Sequence, residues 1–230
     1  AAIIDNVLAA VKKCLQAFKG DLNGITCIGI SNQRETFVLW DENGKPLHNA
    51  VVWQCKRSVD ICKRLSSHSD IIKERTGLLV DPYFSGTKLM WLNENMPAIS
   101  KAIDNGSAYF GTIDTWLLYN FTGGKNYYTD YTNASRTLFF NLRTLNWDAE
   151  LLKEFNVSKL NLPACVPSSY QFGETDLSGL LPKALPITGM IGDSHAAAFG
   201  EGCFIPGTAK ATLGTGCSVL MNIGEKPKLS

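Results

Sequence analysis

The segment Ile187–Leu220, ITGMIGDSHAAAFGEGCFIPGTAKATLGTGCSVL, predicts a strand–turn–helix unit followed by two further strands. Its apolar start predicts a buried strand over Pro186 to Ile191, and the Ala-rich run from His195 predicts a short helix. The runs Ala209 to Leu213 and Cys217 to Asn222 have the composition of strands. Strands that alternate with helices are typical of an α/β fold.

Two features of this segment could take part in a chemical reaction. Asp193 lies at the end of the predicted strand, where open α/β sheets carry their reactive groups. The turn Gly214-Thr215-Gly216 joins the two later strands, and its glycines leave backbone N–H groups free to face an anion. An acid followed by an anion-binding turn indicates phosphoryl transfer to a group that the acid deprotonates. Each feature also has a structural interpretation, because Asp is a favoured helix N-cap and Gly-Thr-Gly suits an ordinary hairpin.

Composition excludes several classes of protein. The 230 residues carry a formal net charge of +1, which gives no electrostatic reason to expect binding to nucleic acid or to an acidic membrane surface. No apolar run approaches the roughly 20 residues that span a bilayer, and the first residues lack the pattern of a secretion signal. Seven cysteines without metal-type spacing favour a reduced, cytoplasmic protein.

Upstream of this segment, apolar spacing predicts an amphipathic helix over residues 2–18 and strands over Ile25 to Ser31, Thr36 to Trp40 and Asn49 to Trp53. Ser58 and Ser69 are expected to cap two short helices. The Pro-containing stretch from Leu162 to Gly179 is expected to be irregular and at the surface.

Four further residues have a structural interpretation by default. Arg34 and Glu35 lie in the polar turn between the first two strands, where adjacent charges are usually a solvated loop pair. Trp53 and Tyr83 are by default core aromatics.

Six motifs occur in an order that resembles one known family. They are NQRET (32–36), VVWQ (51–54), DPYFSGTK (81–88), DYTNASRT (130–137), GDSHAA (192–197) and GTGC (214–217). This set resembles the FGGY carbohydrate kinases, and within them most resembles the glycerol kinases. The resemblance implies an α/β domain of the actin/hexokinase-like (ribonuclease-H-like) fold, with a mixed sheet flanked by helices. Residues 1–230 would be the amino-terminal, substrate-binding domain, truncated before residue 1 and lacking the carboxy-terminal ATP-binding domain.

The resemblance also implies roles for individual residues, with ATP and Mg²⁺ as cofactors and a small polyol or sugar as the substrate. Asp193 would be the general base and would contact the metal through water. The acceptor would be bound by Arg34, Glu35, Trp53, Tyr83, Asp193, Ser194 and Ser218. The ATP phosphates would be bound by Gly214, Thr215 and Gly216. The chain alone would be inactive, since the family's first phosphate loop has no match here.

The chain departs from the glycerol kinases at two positions that face the acceptor. Ser194 replaces a Gln of that group and Ser218 replaces an aromatic residue, which predicts a wider and more polar pocket. A longer polyol or a ketopentose such as xylulose is therefore an alternative to glycerol. A second alternative is a sensor that binds sugar or nucleotide without turnover, and it would need Arg34 and Glu35 but not Asp193. A homo-oligomer is compatible with either function.

Overall fold

The computed structural model describes residues 2–213 and 217–228, and their helices and strands form an α/β arrangement. The helices are α1 (Ala2–Ala17), α2 (Val59–Arg64), α3 (Ser69–Thr76), α4 (Ser85–Asn95), α5 (Pro97–Asp104), α6 (Ile113–Phe121), α7 (Tyr131–Ala134), α8 (Ala149–Glu154) and α9 (Asp193–Gly200). The strands are β1 (Ile28–Asn32), β2 (Phe37–Trp40), β3 (Tyr109–Thr112), β4 (Tyr128–Asp130), β5 (Phe140–Asn141), β6 (Asn146–Trp147), β7 (Ala164–Val166), β8 (Ser169–Thr175), β9 (Leu185–Gly192), β10 (Ala209–Leu213) and β11 (Cys217–Met221).

The central sheet has the order β1-β9-β8 and is mixed, because β9 runs parallel to β1 and antiparallel to β8. Asn32, the last residue of β1, pairs with Gly192, the last residue of β9. Parallel neighbours end at the same edge of a sheet. The segments that follow β1 and β9 therefore emerge side by side, although about 160 residues separate them in sequence.

Two large apolar clusters and one small one hold these elements together. One large cluster joins β2 and β3 to α2–α5 through residues such as Phe37, Leu89 and Phe110. The other lies between the central sheet and α6 and contains Trp40 and Met190. All four residues of β2 are buried, which accounts for its uniformly apolar sequence.

The first helix, α1, confirms the predicted amphipathic pattern. Its apolar side packs on the cluster around the central sheet through Ile3 and Val7, and on the small cluster through Leu8, Val11 and Leu15. None of its residues is fully buried, so α1 lies on the outside of the domain.

The prediction of a third strand over Asn49 to Trp53 is wrong. Only Val51 continues the ladder, as an isolated bridge to Phe37. The carbonyl groups of Val52 and Trp53 accept hydrogen bonds from the buried Lys88 ammonium instead of from a neighbouring strand. A side chain from α4 thus replaces the strand partner that this segment lacks.

Three smaller expectations also need correction. Ser58 occupies the predicted N-cap position of α2, but its side chain makes no capping bond and instead shares a hydrogen bond with Thr87. Ser69 is not a cap but the first helical residue of α3. The stretch from Leu162 to Gly179 is not irregular, because it contains β7 and β8. Its prolines lie outside these strands, so they do not interrupt the hydrogen bonds between strands.

Candidate active site

Two oppositely charged side chains meet at the carboxyl ends of β1 and β9. Arg34 follows β1, and Asp193 directly follows β9 as the first residue of α9. Nε of Arg34 lies 3.6 Å from Oδ1 of Asp193. The Arg34 side chain is buried, whereas 56% of the Asp193 side chain is exposed. The guanidinium group therefore lies behind the carboxylate, which faces open space.

Asp193 is an exposed carboxylate in the first turn of α9. Gly192 is the N-cap residue of α9, so Asp193 is the first residue inside the helix and not its cap. Its Oδ1 accepts a hydrogen bond of 2.7 Å from the backbone N–H of Ser194. The amino terminus of a helix favours a negative charge. An exposed carboxylate in this position can accept a proton from a hydroxyl group that comes within hydrogen-bonding distance.

The Arg34 side chain lies across the start of α9. Its Nη2 donates to Oγ of Ser194 at 3.2 Å, and its Nη1 lies 3.4 Å from Nδ1 of His195. A Cβ atom at Gly192 would come within 2.4 Å of Cδ of Arg34. Glycine at this position therefore allows the arginine to cross the helix start in close contact with the backbone.

His195 supports Arg34 as a neutral ring. Burial, and after it the positive charge of Arg34, lower the pKa of His195 to about 4. A neutral imidazole whose Nδ1 faces a guanidinium group accepts a hydrogen bond there, so its proton lies on Nε2. From the sequence, His195 is expected to be a residue of the helix start, with contact to the substrate as the alternative.

Glu35 is held in a fixed position beside Arg34. Its backbone has φ of 64°, in the left-handed region that residues other than glycine seldom adopt. Oγ of Ser85 donates to its carbonyl oxygen at 2.7 Å, and Nε of Arg136 donates to its Oε1 at 2.7 Å. Its side chain is only 2% exposed. Contacts from two other segments thus stabilise an unfavourable backbone conformation, as is common at functional sites.

Trp53 and Tyr83 form an aromatic pair, with ring centroids 5.7 Å apart in an edge-to-face arrangement. Trp53 is partly exposed, and Tyr83 is half-buried. Burial raises the pKa of the Tyr83 hydroxyl, and the negative charge of Glu35 acts in the same direction. The hydroxyl is therefore a neutral donor or acceptor. Neither ring is fully buried, so both can offer a surface to a ligand.

Lys88 fixes the backbone that carries these two rings. Its ammonium group is fully buried and donates to the carbonyl oxygens of Tyr83 at 2.7 Å and of Val52 and Trp53 at 3.3 Å each. Burial lowers the pKa of Lys88 to about 8. From the sequence alone, Lys88 is expected to have a structural role only.

A buried polar network holds the base of α9 from the other side. Asp130 accepts hydrogen bonds from Thr132 Oγ1 at 2.7 Å and from Ser168 Oγ at 2.6 Å. The same Thr132 oxygen accepts from the backbone N–H of Gly192 at 2.8 Å. Burial, followed by the charge of Asp130, raises the pKa of the neighbouring Asp114 to about 6. The Thr132 hydroxyl thus links a buried carboxylate to the residue that precedes Asp193.

The hairpin of β10 and β11 lies next to α9, and a cavity of about 310 Å³ between them is lined by His195, Phe199 and Met221. Ser218 is exposed on β11 and pairs with Thr212. No hydrogen bond of the described residues joins Ser218 to Arg34 or Asp193. The predicted phosphate turn Gly214-Thr215-Gly216 lies outside the described residues.

Residues 2–213 and 217–228 contain no group of three or more His, Cys, Asp or Glu side chains that could hold a metal ion. The exposed carboxylate of Asp193 fits a single contact to a metal through water, but not a complete protein site. In the same part of the chain, no helix is both long and apolar enough to cross a membrane.

The sequence was also compared with known protein families. The model for the amino-terminal domain of the FGGY family of carbohydrate kinases matches residues 1–200. The chain belongs to this family.

Curated relatives of this FGGY chain include several glycerol kinases. It is 48% identical over 222 residues to one from Symbiobacterium thermophilum, which covers 95% of this chain and 44% of the relative. It is 51% identical over 205 residues to one from Carboxydothermus hydrogenoformans, which covers 88% and 41%. The chain thus spans less than half the length of these relatives.

Solved structures confirm the predicted actin/hexokinase-like fold of this FGGY domain. Glycerol kinase from Plasmodium falciparum, in a crystal structure with ADP, has a TM-score of 0.82 and 44% identity, covering 88% of this chain and 41% of that one. A ligand-bound xylulose kinase from Lactobacillus acidophilus has a TM-score of 0.84 at 21% identity, covering 95% and 44%, and supports the fold alone.

Proposed function

We propose that this chain is the acceptor-binding half of an ATP-dependent kinase that phosphorylates a hydroxyl group of glycerol. The observation that carries the proposal is the meeting of Arg34 and Asp193 at the ends of β1 and β9, 3.6 Å apart. This meeting places hydrogen-bonding groups for an acceptor directly beside an exposed carboxylate. We take glycerol as the acceptor because two curated relatives that are 48% and 51% identical to this chain are glycerol kinases.

The acceptor would lie between the Arg34–Glu35 turn and the aromatic pair of Trp53 and Tyr83. Arg34 would donate to one hydroxyl oxygen and Glu35 would accept from another, which fixes the orientation of a polyol. The aromatic rings would cover its C–H face. Holding the acceptor in a reactive orientation supplies a large part of the rate in such reactions, of the order of several kcal/mol.

Asp193 would then accept the proton of the reacting hydroxyl. The hydroxyl oxygen forms a bond to the γ-phosphorus of ATP as the bond from that phosphorus to the bridging oxygen breaks, and ADP leaves. When bound, Mg²⁺ offsets negative charge on the phosphates. The turn Gly214-Thr215-Gly216 would bind the phosphates through backbone N–H groups and the threonine hydroxyl. The remaining length of the relatives indicates that a further part of a longer polypeptide would complete the nucleotide site.

The proposal is tested by glycerol-dependent formation of ADP in the full-length enzyme. Asp193→Asn is expected to lower kcat by roughly 100-fold or more, as for loss of a general base, while glycerol still binds. The matched control is Asp60→Asn, because Asp60 is also an exposed carboxylate in the first turn of a helix and its variant should keep wild-type activity.

Two results would count against this assignment. Asp193→Asn turning over within a few-fold of wild type would remove Asp193 from the chemistry. A wild-type protein that binds glycerol but forms no ADP with any polyol would be a sensor rather than a kinase. Separately, residues 1–230 alone are expected to show no turnover.

A further inference from the structure

Arg136 has no role in the function proposed above, although its side chain contacts two residues of the proposed acceptor site, Glu35 and Tyr83. It follows α7, and its Nε donates to Oε1 of Glu35 at 2.7 Å across 101 residues of sequence. Arg136 is 23% exposed and Glu35 is 2% exposed. A carboxylate this deeply buried is unfavourable unless a counter-charge and hydrogen bonds accompany it. Arg136 supplies both.

Aromatic rings hold the guanidinium group of Arg136 in place. Its central carbon lies 4.8 Å from the centre of the Phe84 ring and 5.9 Å from that of Tyr83. A guanidinium group is attracted to the face of an aromatic ring at such distances. Because Tyr83 belongs to the proposed aromatic wall, Arg136 contacts both the hydrogen-bonding side and the apolar side of the acceptor pocket.

Contacts on opposite ends of Glu35 fix both its backbone and its carboxylate. Ser85 Oγ binds its carbonyl oxygen, and Arg136 binds Oε1. Among the described residues, Oε2 accepts no hydrogen bond from a side chain. With Oε1 engaged, the direction of Oε2 is set, and Oε2 remains able to accept from a hydroxyl.

We propose that Arg136 is a positioning residue that orients the Glu35 carboxylate and the Tyr83 ring for the acceptor. This inference rests on the proposed function and adds a residue that acts through Glu35 rather than on the acceptor itself. It requires that the effect of Arg136 depend on the presence of the Glu35 carboxylate. A contribution to folding alone would not depend on it.

The test is a double-mutant cycle in the full-length enzyme with Arg136→Met, Glu35→Gln and the double variant. Arg136→Met is expected to raise the KM for glycerol by roughly 10- to 100-fold, the range for a lost hydrogen bond to a charged group. The KM for ATP should stay within about twofold and kcat should fall less than KM rises, since positioning of the acceptor is affected rather than the phosphoryl donor. In the Glu35→Gln background, Arg136→Met should add less than about threefold.

Two further variants separate positioning from folding. Arg136→Lys keeps the charge but not the planar group, and it should recover part of the KM effect. Arg75→Met removes an ion pair of similar burial, since Arg75 is 25% and Asp148 6% exposed and their atoms are 2.8 Å apart. Arg75→Met should lower Tm, with the KM for glycerol unchanged.

Glycerol binding by calorimetry, with the same variants, keeps this inference distinct from the proposed function. If the wild-type protein binds glycerol and the effects of Arg136→Met and Glu35→Gln are coupled, but no ADP is formed, the kinase proposal fails and the role of Arg136 is supported. If the enzyme forms ADP but the two substitutions act independently, the kinase proposal is supported and the positioning role of Arg136 fails. An equal rise in KM for Arg75→Met, absence of wild-type glycerol binding, or an Arg136→Met protein with wild-type KM would each overturn the positioning role.

Discussion

Substitution of Lys88 by Met should weaken acceptor binding, while removal of a buried charge should offset part of the loss of stability. The change keeps an unbranched apolar chain that is one atom shorter but removes the ammonium group that binds three carbonyl oxygens, those of Tyr83, Val52 and Trp53. The bond at 2.7 Å is worth about 2 kcal/mol and the two at 3.3 Å about 1 kcal/mol each, near the range for charged donors. The lost contacts thus amount to about 4 kcal/mol.

Removal of the buried charge offsets part of that loss. Burial lowers the pKa of Lys88 from 10.5 to about 8, so the folded chain disfavours the charged form, and Lys88→Met avoids that cost. The free energy of unfolding of Lys88→Met should therefore fall by less than the lost contacts alone would give. The variant also lacks the hydrogen bonds that fix the backbone of Trp53 and Tyr83. The two rings are then less well positioned, and the KM for glycerol should rise by roughly 10-fold or more.

The dependence on pH has a definite sign. Below pH 8 both the folded and the unfolded chain hold the Lys88 proton, so its contribution to stability is constant. Between about pH 8 and pH 10.5 the folded chain has released this proton and the unfolded chain has not, so the contribution of Lys88 to stability rises with pH. The neutral amine binds the carbonyl groups less strongly. The KM for glycerol should therefore rise over the same range, opposite in sense to the stability.

The assay is denaturant unfolding and glycerol KM from pH 7 to pH 10 for wild type, Lys88→Met and the control Lys56→Met. Lys56 is an exposed lysine close in sequence to Val52 and Trp53, whose carbonyl groups Lys88 binds, and it lines a surface cavity beside Trp53. A wild-type KM for glycerol with the same pH profile as that of Lys88→Met would refute the reasoning. A Lys88→Met variant with unchanged KM at pH 7 would do so as well.

Three further predictions concern the start of α9 and the size of the pocket. Thr132→Val removes the acceptor of the Gly192 N–H bond and should lower kcat by about 10-fold, whereas Thr132→Ser should retain activity; equal rates for both would contradict the role of the hydroxyl. Gly192→Ala places a methyl group within 2.4 Å of Arg34 and should raise the KM for glycerol, while Gly200→Ala, which meets open space, should not. Ser218→Phe should shift kcat/KM towards glycerol and away from xylitol or xylulose by roughly 10- to 200-fold, and an unchanged ranking would show that Ser218 does not line the pocket.

Local sequence patterns predicted most of the elements that surround the site. The apolar runs that became β1, β2 and β9 and the stripe of α1 were recognisable because burial imposes a period on neighbouring residues. The prediction for Asn49 to Trp53 failed because its backbone is bound by a lysine side chain from α4. Any residue offers a carbonyl oxygen, so the sequence carries no mark of such a contact.

The sequence by itself determined the family, the α/β class and the motifs that contain Arg34, Glu35 and Asp193, because these depend on residue type and local order. Only the tertiary structure decided that β1 and β9 are parallel neighbours, and hence that Arg34 and Asp193 share one edge of a sheet. It also decided that Arg136 binds Glu35, a contact between residues 101 positions apart. Hydrophobic burial selects which segments pack, but the pairing of distant polar groups follows from where that packing places their backbones.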